Sequence, residues 1–219
     1  RDIGVTGVQT CALPILPKSY INIKNTRPLL NTIYNITKEN HKLYSIEHIV
    51  PKSFIKNKKL SSDLHNLMLY PCNVNMHRSN YKYISDFKLY DKSYILDHNG
   101  NKIDYKKPMN HLDIFIKTNE RHLFLPREQY RGEIARACMY FLTTYPKYQD
   151  TIFDNVLDPF TLLTWHHEYP VQHHEREKNI AVNELQKNKN VYVSYPELLV
   201  LDMQLILDKD LSIFKKYKY

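Results

Sequence analysis

Residues 47 to 80 read EHIVPKSFIKNKKLSSDLHNLMLYPCNVNMHRSN, and this stretch decides how the rest of the chain is read. It opens with a carboxylate beside an imidazole, Glu47-His48. Pro51 follows, then a basic loop carrying Lys52, Lys56, Lys58 and Lys59, then Asp63-Leu-His-Asn-Leu67, and last Asn75, Arg78 and Asn80. Leu43, Ile46, Ile49 and Val50 flank the first polar cluster; Leu64, Leu67 and Leu69 flank the second. That pattern predicts two short strands joined by a loop, with a helix after Pro71. Such a hairpin can bring one titratable histidine and a few oxygen ligands to a single point.

Those residue types suit metal-assisted attack on a phosphodiester. A hard Mg²⁺ ion takes few protein ligands, all of them oxygen, and fills its remaining positions with water and phosphate. Glu47 and Asn75 can supply such oxygens. A neutral imidazole of ordinary pKa, about 6.5, takes a proton from water near pH 7, which makes His48 a general-base candidate. Neighbours in a regular strand point to opposite faces. Residues 47 and 48 can therefore serve one phosphate only where the strand ends or bends, and Pro51 favours an end there.

The stretch resembles the endonuclease I family of non-specific, metal-dependent nucleases, which carry a ββα-metal (His-Me finger) site. EHIVPKSF and DLHNL match the first two motifs of that family, and Asn75 followed by Arg78-Ser-Asn80 matches the third. The likeness continues in RGEIARACMYFLTTYP from Arg131, in LLTWHHEYPVQHHEREKNI, and in ELQKNKNVYVSYPEL. It therefore reaches from Tyr44 to Leu199, with a poorly matched middle. A Glu-His pair alone would mean little; six segments in the right order mean a great deal. The resemblance implies that His48 is the general base, that Glu47 and Asn75 hold the cation, and that the fold is α+β. In that fold a ββα core at residues 44–80 is packed by additional helices.

Working outward, the first fifteen residues are set aside. Val5-Thr-Gly-Val-Gln-Thr-Cys-Ala-Leu-Pro-Ile15 reads as the conceptual translation of a sequencing adapter joined to the gene, and such segments are excluded before fold reasoning. The lack of a leader at this end then says nothing about secretion. About two hundred residues remain, enough for one domain, 16–219, with a sizeable core. A hydrophobic share of 42% with 25% charged residues suits a globular chain, and no apolar run reaches the length of a membrane span. The net charge of +8 favours a polyanion such as nucleic acid, although an acidic membrane surface would be served equally well. Cys72 and Cys138 remain once Cys11 is set aside, too few for a disulfide framework, which tilts the chain towards a reducing compartment.

Elsewhere the signals are uneven. Residues 16–43 show no clear period beyond a helical turn near Thr37-Lys-Glu-Asn40. The basic loop, without an acid from Pro51 to Leu60, faces either solvent or phosphate. His98-Asn-Gly-Asn101 predicts a hairpin between Ser93–Leu96 and Ile103–Tyr105. Ile134, Cys138, Phe141, Leu142 and Tyr145 recur at helical spacing from Arg131 until Pro146 stops them. Asp158-Pro159 is a helix start that carries Trp165 into the core. The doublets His166-His167 and His173-His174 diverge by about 100° on a helix, and no further ligand lies at zinc spacing. Glu175, Asn179, Gln186, Asn188 and Asn190 are expected to tie loops down, since buried amides need partners.

The chain departs from the family in one respect. The family often sets an arginine near the site to clamp the phosphate, yet none lies between His48 and Asp63. Lysine lacks the bidentate fork of arginine, and the family's arginine before Asn179 is Lys178. The phosphate-contacting candidates are Lys52, Lys56, Lys58, Lys59, Arg78 and Arg131. The expected function is a Mg²⁺-dependent endonuclease, with Ca²⁺ or Mn²⁺ as alternative cations, cutting DNA and also RNA as a monomer with no membrane partner. The rival readings are a nucleic-acid-binding protein without useful activity and a sequence-specific HNH-type nuclease.

Overall fold

The computed structural model describes residues 23–87, 90–104 and 111–209. Both strands expected around the Glu47–Asn80 stretch are present. β1 (Tyr44–His48) pairs antiparallel with β2 (Leu67–Pro71), in register from Tyr44 opposite Pro71 to His48 opposite Leu67. Alternation then sorts the side chains. Leu67 and Leu69 join Leu30, Leu64 and Val182 on one face, while Met68 and Tyr70 enter the main core on the other.

The connection between the strands is long but pinned. Asn66 accepts from Val50 N at 2.8 Å and donates to the Val50 carbonyl at 3.0 Å. Inside the loop the expected basic segment forms one turn of helix at Lys58–Ser61, with Asn57 accepting from Lys59 N at 2.9 Å. β2 then runs directly into a helix at Cys72–Arg78, so the strand–strand–helix order is found.

In chain order the helices are α1 (Ile23–Ile33), α2 (Lys58–Ser61), α3 (Cys72–Arg78), α4 (Glu128–Thr144), α5 (Gln149–Asn155), α6 (Pro159–Glu168), α7 (His173–Gln186), α8 (Val191–Ser194) and α9 (Leu198–Lys209). α1 was not expected. Its buried stripe is Thr26, Leu30 and Ile33, a helical spacing hidden by a polar first member and by Pro28 within the helix. α4 begins three residues before the expected Arg131, and nearly its whole length is buried. Asp158 caps α6 as expected, accepting from Phe160 N and Thr161 N at 3.0 Å each, and Trp165 is buried.

The poorly matched middle builds a second sheet from β3 (Lys82–Tyr83), β4 (Ile95–Leu96), β5 (Ile114–Lys117) and β6 (His122–Leu125), in the order β3-β6-β5-β4. The hairpin expected at His98–Asn101 is present in short form, closed by Asp97 N donating to the Asn101 carbonyl at 2.8 Å. Asp97 caps it by accepting from Asn99 N and Asn101 N, and Gly100 takes φ +84°, a left-handed conformation that glycine adopts without strain. Its flanks meet at the bridge Leu96–Lys102, while the other edge of β4 pairs with β5. Tyr105 lies outside the described residues, as do the adapter-like segment and the basic C-terminal IFKKYKY. One continuous core joins α4, α6, the second sheet and the inner face of the β1–β2 hairpin, giving the mixed α+β fold expected. Among the described residues no helix is long and apolar enough to cross a membrane.

Candidate active site

His48 is the last residue of β1, so the alternation that would part it from Glu47 ends there. Glu47 and Ser45 face α3; Asn75, on the first turns of α3, reaches back across. Its Nδ2 donates to Ser45 Oγ at 2.8 Å and to the Ile46 carbonyl at 3.2 Å, which leaves the amide oxygen for a ligand. Glu47, His48 and Asn75 line one open cleft of about 270 Å³, together with Lys52, Ser53, Ser79 and Asn80. Ser79 holds φ +49°, an uncommon conformation for a residue with a Cβ, at the point where α3 ends on the cleft.

Arg78 is the hinge pin of this geometry. It is buried, its guanidinium lies 4.4 Å over the Tyr83 ring, and it donates to Glu47 Oε1 and to the carbonyls of His48 and Ile49, the last two at 3.0 Å. One side chain thus grips both the carboxylate and the backbone at the end of β1. Burial raises the Glu47 pKa, and the Arg78 charge opposes that rise. For His48, burial first and the Lys52 charge second push the pKa down to about 4, so the ring is neutral at pH 7. Its Nε2 is buried without a hydrogen-bond partner. A buried acceptor in that condition costs about 1–3 kcal/mol and calls for an explanation.

A larger hollow of about 530 Å³ lies on the opposite face of β1–β2, bounded by Tyr34, Tyr44, Leu69, Tyr130, Glu133 and Glu175. Size would favour it, but two of its carboxylates, Glu133 and Glu175, are already taken. Glu133 accepts from Lys178 at 2.8 Å, faces His174 at 3.1 Å and accepts from the Tyr34 hydroxyl. Glu175 takes two bonds of 2.7 Å from Arg136. The smaller cleft is where polar atoms stand ready.

Among the described residues no group of three or more His, Cys, Asp or Glu could hold a metal ion, and this includes both histidine doublets. A hard divalent cation needs no such group; one carboxylate, one amide oxygen and water suffice. Glu47 and Asn75 provide that donor set on one cleft, beside an orphaned imidazole nitrogen, so the residues present fit such an ion.

The endonuclease I family model matches residues 17–197. This chain belongs to the endonuclease I family. It is 27% identical over 139 residues to a periplasmic deoxyribonuclease of Aeromonas hydrophila, an alignment covering 62% of this chain and 48% of that relative. The chain thus spans about half the length of the curated relative it matches.

In this endonuclease I chain the basic residues divide into two groups. Lys52, Lys56, Lys58 and Lys59 are exposed, and Lys52 stands on the cleft wall. Arg78 and Arg131 are not surface residues. The Arg131 Nε and Nη1 donate to the Pro126 carbonyl and the Tyr169 hydroxyl, both at 2.8 Å. Both guanidiniums are held by acceptors within the fold. Arg78 keeps one nitrogen, Nε, without a partner. Arg136 is likewise bound to Glu175.

The amides of the last motif do tie loops down. Asn179 accepts from Asn190 N at 2.8 Å, and Gln186 accepts from Leu64 N at 2.7 Å while donating to Asp63 at 3.0 Å. Asn188 donates to the Tyr140 hydroxyl at 2.6 Å. Cys72 and Cys138 are free thiols. Sequence reasoning missed Ser45, which orients Asn75; nothing in a lone serine signals that role.

Proposed function

We propose that the protein is a metal-dependent endonuclease that hydrolyses phosphodiester bonds of DNA, with RNA as an alternative substrate, and with little sequence preference. The observation that carries this reading is that His48, whose Nε2 has no hydrogen-bond partner, lines the same cleft as Glu47 and Asn75. Membership of the family and the likeness to a deoxyribonuclease support it.

Glu47 and Asn75 would hold Mg²⁺, with Ca²⁺ or Mn²⁺ as alternatives. When bound, the cation would supply Lewis-acid polarisation of the phosphate and stabilisation of the leaving oxygen. His48 is the general base. Held neutral, it accepts a proton from the attacking water, and the anionic phosphate beside it favours the imidazolium as that forms. Arg78 keeps the Glu47 carboxylate and the His48 backbone in fixed relation, so the base and the cation site share one geometry. Lys52 offers the phosphate a point charge from the cleft wall.

The test is incubation of the purified protein with supercoiled plasmid and Mg²⁺, with EDTA, and with EDTA followed by excess Mg²⁺. Nicking in the first and third conditions alone is the expected result. Cleavage that persists in EDTA would remove the metal from the mechanism. No cleavage with Mg²⁺, Ca²⁺ or Mn²⁺ would leave a nucleic-acid-binding protein.

A further inference from the structure

Beside the cleft stand two rings that the proposed chemistry does not use. Asn80 lines the cleft, and Tyr81 follows it directly, its N–H donating to the Arg78 carbonyl at 2.8 Å. Tyr81 is therefore anchored to the end of α3, the helix that carries Asn75. Its ring lies nearly parallel to the imidazole of His122, with centroids 4.7 Å apart and planes inclined by 24°. The parallel pairing of β3 with β6, Lys82 beside Leu123, puts the two residues next to each other. Phe115 backs this pair from the core, meeting Tyr81 edge-on at 6.1 Å and His77 of α3 at 5.9 Å.

The exposure of these rings is what matters. Phe115 is buried and Tyr81 half-buried, but His122 and His77 are exposed, as are Lys117, the strand partner of His122, and Arg121. A stacked aromatic pair with one exposed member, flanked by cations and following directly on a residue of the cleft, has the makings of a base-stacking platform. Stacking is sequence-tolerant because every base has a π face. It is open only to a base out of the duplex stack. A pair that merely packs two strand ends would be indifferent to whether a nucleotide carries a base.

We propose that Tyr81 and His122 form a stacking subsite for an unpaired nucleobase of the strand whose phosphodiester occupies the Glu47–His48–Asn75 cleft. The inference rests on the nuclease reading of that cleft and adds a substrate class to it: single-stranded or locally opened nucleic acid.

The test is fluorescence anisotropy in a His48→Ala background with three labelled probes: a single-stranded DNA oligonucleotide, the same chain with abasic central nucleotides, and a duplex. The base-bearing strand is expected to bind roughly tenfold more tightly than the abasic one, an effect at the low end of what one stacked base contributes. His122→Ala, at an exposed position that leaves the fold intact, should remove most of that difference without weakening the abasic probe. Tyr81→Leu should do the same, with its folding checked by thermal melting. Equal binding of the two strands by the His48→Ala background protein would overturn the subsite. So would an undiminished preference in His122→Ala. Failure to bind any of the three probes would overturn the nuclease reading as well, which separates the two failures.

Discussion

Asp63 and His48 stand at the two ends of the connection between β1 and β2, and their surroundings are opposite. The Asp63 carboxylate accepts from His65 N, from Gln186 and from the hydroxyls of Tyr140 and Tyr145, all within 3.0 Å. Behind it the Arg136–Glu175 and Lys178–Glu133 pairs are equally complete. At His48 the Nε2 has no partner. Of the five buried polar side-chain atoms left unpaired among the described residues, one, His48 Nε2, belongs to a residue that lines the cleft, and another, Arg78 Nε, to the side chain that grips Glu47. Buried polar groups are satisfied where the fold needs rigidity; an exception kept at a cleft marks a place where something else is to bind. The network behind should therefore govern stability, and the cleft activity.

The strongest way to break that comparison is in the network. Arg136→Met leaves Glu175 buried without its counter-charge, and the expected loss is about 3–5 kcal/mol in urea unfolding. Specific activity of the molecules that remain folded should be unchanged. A loss below about 1 kcal/mol, the level of an exposed pair, would show that the network does not hold the fold.

In the cleft, Asn75→Ala and Glu47→Gln should each weaken Mg²⁺ binding by roughly tenfold or more, since even residues that only support ligands have effects of that size. Glutamine keeps an acceptor for Arg78, so the fold should survive. Calorimetric titrations unchanged in both variants would place the cation elsewhere.

The exposed lysines should set salt dependence. Each duplex phosphate neutralised contributes a slope of about −0.9 in log K against log salt. Replacing Lys52, Lys56, Lys58 and Lys59 with alanine should flatten the slope by about one unit per lysine that touches phosphate. Anisotropy across a salt series in a His48→Ala background measures it. An unchanged slope would make this loop solvated surface.

The smallest effect expected is on stability against pH. Burial depresses the pKa of His65 and His166 to about 4, whereas Glu133 raises that of His174, against its burial. For the first two the unfolded chain binds more protons below about pH 6.5, so Tm should fall as pH drops from there towards 4. For His174 the stabilisation is complete below about pH 6.5 and is lost as pH rises through its raised folded pKa. A shallow maximum in Tm near neutrality follows, and a His174→Gln variant should lose the decline on its alkaline side.

Much of this was legible in the sequence, for reasons that can be named. β1, β2 and α3 follow from apolar alternation, Pro71 and the matched motifs. α4 follows from its three-and-four spacing, and α6 from Asp158-Pro159. α1 stayed hidden because Thr26 sits in its buried stripe and Pro28 within it. β4 meets the local flank at Leu96–Lys102, but its longer pairing is with β5 from farther along the chain, and non-local pairing leaves no mark on a short window. Residue type gave Glu47, His48 and Asn75 a common purpose. It left the burial of Arg78 and Arg131 unseen, because burial of a guanidinium depends on acceptors gathered from distant segments: Glu47 with the His48 and Ile49 carbonyls, and Pro126 with Tyr169.

The account stands most directly on His48→Ala, assayed side by side for plasmid cleavage and for unfolding. Removing a general base costs about 10²–10⁴-fold in rate. Removing an imidazole whose Nε2 has no partner takes no hydrogen bond at that atom from the fold. The expected result is a fall of that size in cleavage, with Tm near that of the wild type and DNA binding retained. Cleavage at the wild-type rate, or a loss of activity that merely tracks a loss of folded protein, would contradict it.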